Sequence, residues 1–543
     1  SKLSGIGETE MHDIVWYRKK VRIPNEYAGK RIMLHFGAVD YLAWVWVNGQ
    51  LVKYHEGGHT PFSADITEAL CDGENAITVK AQDFTRDVTL PRGKQFWEEK
   101  PRGIWYTPTT GIWQSVWLEA VSDIYLEKVK FTPDIDNNQI QVRAFIDRWH
   151  PGKDLRLKTR ITFQGEEVLE DLVQIKSPEE TREYKLHDFN DHGMGRWWSP
   201  ERPNLYDVTF SLIADGQEID HVKSYFGMRK ISVEDGVVCL NNRPYKMKMV
   251  LDQGYFPDGL LTPPSDDAIR KDVELTKAMG FNGARKHQKV EDPRYLYWCD
   301  KLGLLVWGEM ANAGQYSETY VRRMMSEWQE VIERDYNHPS IVAWVPINES
   351  WGVPNVLVDR QQQQHTLALY HLTKSLDPTR LVISNDGWEH TKSDLITIHD
   401  YEWREEVLAR RYADRQTAIQ SKPARRWIIV PGFQEEGEPV LVTEFGGISF
   451  RRSEWEGWGY SSASDEKEYI DRLNAVFHPL HQSEVIHGYC YTQLTDVEQE
   501  INGLLTYDRK PKVPLELIKR INQGQRPSYE NNNAGQQHHA LRK

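Results

Sequence analysis

The sequence predicts two β-sandwiches followed by a (β/α)8 barrel, on three observations. Short alternating strands recur between turn signals up to about residue 230, with no helical pattern. After Val233 the texture switches, and eight apolar runs alternate with helical periodicity. With 543 residues the chain is too long for one ordinary domain.

Residues 1–121 hold the first strands. Arg31-Ile32-Met33-Leu34-His35-Phe36 alternates, and the run from Trp44 to Val52 turns at Asn48-Gly49, a pair suited to a two-residue hairpin. Another alternating strand ends at Ser115–Ala120. Residues 122–231 form a second β series, with a strand from Tyr206 to Leu212 and a turn at Asp215-Gly216. In residues 232–523 the barrel strands fall at 245–251, 280–286, 304–307, 341–347, 381–384, 395–399, 440–443 and 485–491. Ser265 caps a helix over 266–279 that Gly280 stops, and a helix over 293–302 begins on Pro293 and ends at Gly303. The connection between the fifth and sixth strands is too short for a full helix. Residues 524–543 read as a polar tail.

Composition excludes several function classes. The net charge of -13 carries no long basic run, so nucleic acid is not an expected partner. No stretch approaches the roughly 18–20 apolar residues of a membrane span. Cys71, Cys239, Cys299 and Cys490 lie far apart and lack the close pairs of a zinc or redox motif, so buried free thiols are expected. With no signal peptide at the start, this predicts a cytoplasmic protein. No metal or cofactor is implied, and homo-oligomerisation is left open. Twenty Trp supply flat aromatic faces that suit sugar rings.

Two glutamates carry the chemistry. Glu349 follows Ile341-Val342-Ala343-Trp344-Val345-Pro346-Ile347-Asn348, and Glu444 follows Val440-Leu441-Val442-Thr443. Core packing does not explain an ionised group at the end of a buried strand. In a closed barrel the carboxyl ends of the fourth and seventh strands open on one face, where two carboxylates can act on a glycosidic bond as acid/base and nucleophile. Asn348-Glu349-Ser350 also matches a glycosylation sequon, but its asparagine abuts a buried strand.

From about residue 7 to 512 the chain resembles glycoside hydrolase family 2, which includes β-galactosidases, β-glucuronidases and β-mannosidases. The resemblance rests on Gly111-Ile112-Trp113-Gln114-Ser115-Val116-Trp117-Leu118, Asn282-Gly283-Ala284-Arg285, His338-Pro339-Ser340-Ile341, Asn348-Glu349-Ser350-Trp351 and Thr443-Glu444-Phe445-Gly446. It implies a jelly-roll sugar-binding sandwich, an immunoglobulin-like sandwich and a catalytic TIM barrel. It also implies a retaining exo-β-glycosidase acting on carbohydrate, with Glu349 as acid/base and Glu444 as nucleophile. Asn348 matches an asparagine that binds the sugar 2-hydroxyl. Arg285 matches an arginine that keeps the nucleophile ionised, and Tyr401 a tyrosine that donates to it.

Tyr491 ends the eighth strand where relatives carry Trp, placing it to stack on the sugar or to fill the core. Asp252, Gln253, Lys286 and His287 are further candidates for binding hydroxyls, while His390 reads as loop structure. The departures bear on the sugar. Glu500-Ile501-Asn502 stands where β-glucuronidases carry Asn-x-Lys, and a glutamate there would repel a uronate. Gly308–Gln315 lacks the Glu-x-His pair of the magnesium-dependent β-galactosidases. A β-galactosidase-type activity is therefore the leading expectation. The alternatives are another β-glycosidase (for mannose, arabinopyranose, or a uronic acid bound by Lys286, His287 or Arg451-Arg452) and a non-catalytic carbohydrate-binding protein. About a dozen residues precede Ile14–Arg18 where relatives have further strand sequence, which predicts a trimmed terminus or an incomplete first sandwich with an open edge.

Overall fold

The computed structural model describes residues 2–5, 10–186, 195–452 and 456–529, so most of the 524–543 tail lies outside the described residues. The first sandwich packs a four-stranded sheet (Ile14–Arg22, Glu74–Gln82, Leu42–Val47, Gln50–Glu56) on a three-stranded one (Phe62–Asp65, Arg31–Phe36, Val116–Val121). The hairpin turns at Asn48 and Gly49, both at positive φ (50° and 87°), as a type I′ turn requires. The second sandwich has a three-stranded sheet, Tyr125–Asp134, Gln139–Asp147 and Glu179–Lys185, facing four strands that include Tyr206–Ala214 and Gln217–Phe226. Alternation puts Ile140, Val142, Ala144 and Ile146 of one sheet into a common core with Leu155, Leu157 and Ile161 of the other.

Eight parallel strands follow: Met247–Asp252, Gly283–Lys286, Leu305–Glu309, Ile341–Val345, Leu381–Val382, Ile396–Asp400, Val440–Gly446 and Ile486–Thr492. Their lateral order runs from the fifth strand through the first and eighth to the sixth. Among the described residues no ladder joins strands five and six. Loop bonds cross that seam instead, from Asp394 N–H to Val382 O (2.9 Å) and from Gly387 N–H to Thr397 Oγ1 (2.8 Å). The expected helices form at Asp266–Ala278, where Ser265 accepts from Ala268 N–H, and at Pro293–Leu302, ended by Gly303 at φ 77°.

Period-two alternation divides the strands' side chains. Met247, Met249, Leu251, Leu305, Trp307, Leu441 and Cys490 fill the interior, while Val250, Val306, Tyr489 and Tyr491 pack toward the helices. Toward the carboxyl ends the interior turns from apolar to charged, with Arg285, Glu309, Asp386, His399 and Glu444 all buried. Cys239, Cys299 and Cys490 are buried free thiols as expected, but Cys71 is exposed, because its short turn lies outside both sheets. Among the described residues no helix is long and apolar enough to cross a membrane.

Candidate active site

Glu444 lies on the seventh strand, facing the barrel axis. Its carboxylate accepts from Arg285 Nη2 (2.8 Å) and Tyr401 Oη (2.5 Å). Burial pushes this carboxyl up, but the charges of His399 and Arg285 outweigh it and hold the group at about 2. Glu444 is therefore an ionised, oriented carboxylate across the neutral range.

Arg285 is fully buried and makes three ion pairs, to Glu444, to Glu309 (2.7 Å) and to Asp386 (2.5 Å), and it donates to Asn348 Oδ1 (2.9 Å). Five planar donors suit such a hub.

Glu349 sits just beyond the fourth strand, with its side chain 19% exposed against 6% for Glu444. Its backbone and that of Ser350 adopt positive φ (51° and 60°). For residues other than glycine this costs of order 1–3 kcal/mol each and persists only where the surroundings hold it. Here Glu349 N–H donates to Asp386 O (2.9 Å), Ser350 N–H to Asn385 Oδ1 (2.8 Å) and Asn348 N–H to Asn312 Oδ1 (2.8 Å). The turn aims the carboxylate back over the mouth.

His399 joins the two carboxylates. Its Nδ1 lies 2.7 Å from Glu349 Oε1 and 3.5 Å from Glu444 Oε1, and its Nε2 lies 3.1 Å from Asp386 Oδ2. Burial lowers this imidazole, but Glu444 and Asp386 outweigh that and raise it to about 10. It is a cation beside Glu444 and Asp386. Ligand atoms of Glu349, His399 and Glu444 all lie within 4.8 Å of one another, close enough for a metal ion. A spacing within 4.8 Å is below the roughly 6.5–9.5 Å that would seat a water between the carboxylates, and suits direct attack by one of them.

The structure thus brings together Glu349, Glu444, Asn348, Arg285 and Tyr401. It sends other candidates elsewhere. Tyr491 is fully buried against Phe445 and Phe477, on the helix side of the eighth strand, and does not stack on a ligand. The next residue, Thr492, faces inward, its hydroxyl 3.1 Å from Tyr401 Oη, which can accept from it. Lys286 is committed to Asp252 (2.8 Å) and Glu291 (2.7 Å), so neither Lys286 nor Asp252 is available to bind hydroxyls. Arg451 and Arg452 pair with Glu456 and Glu466 at the surface. Gln253 is buried and donates to Gln493 (2.8 Å). His287 lies beside Arg285 (2.8 Å), and burial with the charges of Lys94 and Arg285 holds it well below the usual histidine range, hence neutral. His390 is buried in the loop, bonded to Thr397.

Sequence reasoning missed Asp386, His399, Glu309 and Tyr460. Asp386 and His399 belong to loop and strand ends that meet only across the seam. Tyr460, from a distant loop, stacks on Tyr401 with ring centroids 3.4 Å apart.

Comparison with known proteins decides the family. The model for the TIM barrel domain of glycosyl hydrolases family 2 matches residues 231–525, that for the family's sugar binding domain 8–118, and a third family 2 model 124–229. The chain belongs to glycosyl hydrolases family 2.

Within family 2 it is 30% identical over 352 residues to a β-galactosidase of Thermoanaerobacter pseudethanolicus, covering 63% of this chain and 46% of the relative. It is 24% identical over 546 residues to a β-glucuronidase of Paenibacillus borealis, covering 93% and 87%. The first-ranked curated relatives are longer proteins, and the chain spans about half their length. The crystal structure of Bacteroides uniformis β-glucuronidase superposes with TM-score 0.76 at 22% identity, covering 95% of this chain and 64% of that one. That likeness establishes the shared fold.

Proposed function

We propose that this chain is a retaining exo-β-glycosidase that acts on a terminal β-linked sugar. The observation that supports it best is the pair Glu349 and Glu444, within 4.8 Å across the barrel mouth, one of them held ionised by Arg285, His399 and Tyr401. Glu444 Oε attacks the anomeric carbon while Glu349 gives its proton to the glycosidic oxygen, so the aglycone leaves as an alcohol and a glycosyl ester forms on Glu444. Glu349, now ionised, takes a proton from water, whose oxygen attacks the same carbon and releases the sugar with the starting configuration and Glu444 as carboxylate. In this reading Asn348, whose Oδ1 accepts from Arg285, binds the 2-hydroxyl of the sugar.

The sugar divides between two readings. The β-galactosidase-type activity expected from the sequence is supported by galactosidase relatives, and glucuronidase relatives support a uronide equally. Glu500, whose carboxylate weighs against a uronide, accepts from Tyr106 Oη (2.5 Å) and Asn502 Nδ2 (3.1 Å).

The test is proton NMR of nitrophenyl β-glycoside hydrolysis by the wild type and by Glu444→Gln. The expected first product is the β-anomer, and Glu444→Gln should lose roughly 10³-fold or more in kcat with an unchanged melting temperature. An α-anomeric first product, or an active Glu444→Gln, would sink the mechanism.

A further inference from the structure

Glu389 is a buried carboxylate that the mechanism above leaves without a task. It lies between the fifth and sixth barrel strands and is 1% exposed. Its Oε1 accepts from Arg426 Nη1 (3.1 Å), and its Oε2 accepts from Ser350 Oγ. A buried charge is costly unless it is paired and hydrogen-bonded. This one has a guanidinium on one side, and on the other it holds the residue next to Glu349.

The turn at Glu349 and Ser350 requires such a hold. Two consecutive residues other than glycine at positive φ (51° and 60°) persist only where the surroundings impose them. Ser350 is buried, and the loop over residues 385–389 takes both its N–H and its hydroxyl. The N–H donates to Asn385 Oδ1 (2.8 Å), and the hydroxyl accepts from Asn385 Nδ2 (3.0 Å) while donating to Glu389. Glu389 is anchored in turn. Its N–H donates to Trp427 O (2.8 Å), and the neighbouring His390 N–H donates to Ile428 O (2.8 Å). Glu444 depends on other elements, since Arg285 belongs to the second strand and Tyr401 follows the sixth. Asn348 is likewise held by Arg285 and Asn312. Loosening Ser350 therefore moves the acid/base and leaves the nucleophile and Asn348 in place.

We infer that Glu389 is a positioning residue for the acid/base: through the Ser350 hydroxyl it holds the left-handed turn that aims Glu349 at the glycosidic oxygen. This rests on the glycosidase reading above. A displacement of about 1 Å in a reacting group is enough to cost roughly 10²-fold in rate. The loss falls on proton donation alone, because Glu444 is oriented by other strands. It is therefore large where the leaving group needs a proton and small where it does not.

The experiment measures kcat/KM on aryl β-glycosides of the sugar that the wild type hydrolyses best, with 2,4-dinitrophenol, 4-nitrophenol and phenol as leaving groups. Dinitrophenolate departs without a proton, whereas phenol requires one from Glu349. Glu389→Ala and Ser350→Ala should each lower kcat/KM on the phenyl glycoside by roughly 30-fold or more, and leave the dinitrophenyl glycoside within about threefold of wild type. Glu389→Gln, which keeps an acceptor for the Ser350 hydroxyl, should recover part of the loss. The variant combining both alanines should fall no further than the worse single one, because the two act through one bond. Should Glu389→Ala fail to fold, Ser350→Ala carries the same comparison of leaving groups. An equal loss on all the aryl glycosides, or losses that multiply in the double variant, overturns the positioning role and leaves the glycosidase standing. Absence of turnover of any β-glycoside by the wild type refutes the glycosidase, and the role of Glu389 with it.

Discussion

At the residue scale, the centre is a cluster in which each buried charge has an opposite neighbour. His399 matters most here, since it touches Glu349, Glu444 and Asp386 at once. Its value of about 10 is above the ordinary 6.5, so its protonated form stabilises the fold fully below about 6.5, and that contribution is lost as pH rises toward about 10. Glu444 works in the opposite sense. Held at about 2, it contributes fully above about 4.5, and its contribution is lost as pH falls toward about 2. Stability from this pair is therefore greatest between roughly pH 4.5 and 6.5. Calorimetric melting from pH 3 to 10 should show decline on both sides, and His399→Gln should flatten the alkaline decline; parallel alkaline slopes in the two proteins would reject this role.

At the element scale, the segment over residues 91–96 is the piece of the first sandwich that completes the mouth, and it depends on Gly93. That residue has φ 62°, and a Cβ there would lie 2.1 Å from the carbonyl oxygen of Gln288. Gly93→Ala must pay left-handed strain of about 1–2 kcal/mol and push the segment off the barrel. The expected result is a lower melting temperature together with loss of kcat/KM on the best glycoside; unchanged values of both would show that the segment docks without this contact. Such dependence is hard to read from sequence, because Gly93 looks like an ordinary loop residue until the loop carrying Gln288 is in place. The barrel itself was legible, since caps such as Ser265 and stops such as Gly280 and Gly303 are local signals. Glu349 and Glu444 were legible for a related reason, as charges closing apolar runs. Tyr491 misled because a one-residue step along a strand reverses the face, and the inward position belongs to Thr492. His399 and Asp386 were hidden because their partners lie on other strands, and nothing in their own neighbourhoods marks them.

At the scale of the whole molecule, polar anchors tie the sandwiches to the barrel beside an apolar cluster that joins Tyr106 and Trp113 to Tyr255 and Tyr507. His59 N–H and Thr60 Oγ1 of the first sandwich donate to Glu327 (2.7 Å) and Glu330 (2.5 Å) of the Glu318–Asp335 helix. Arg31 ties the first sandwich to the second through the Asp123 carbonyl (3.0 Å) and Asp147 (2.6 Å). Arg229, at the end of the second sandwich, enters the bottom of the barrel and donates to the carbonyls of Pro339 and Ile341, both at 3.0 Å. Burial pushes Arg229 down to about 9, with the like charge of Arg380 adding to it, so the anchor carries a desolvation cost of its own. Arg380 also donates to Ile341 O (2.8 Å), which leaves Pro339 O as the acceptor stranded if Arg229 is truncated. Arg229→Ala should then cost about 3 kcal/mol, from one stranded carbonyl, one lost charge-assisted bond and an unfilled space. Arg229→Met, which refills the space and removes the buried charge, should cost less than alanine. The comparison is a scanning calorimetry trace of each protein. If hydrogen bonding to the barrel is what docks the sandwich, both variants melt earlier and the sandwich transition separates from that of the barrel. Were methionine to raise the melting temperature, the charge would be a net burden, and the docking would rest on apolar contacts around it.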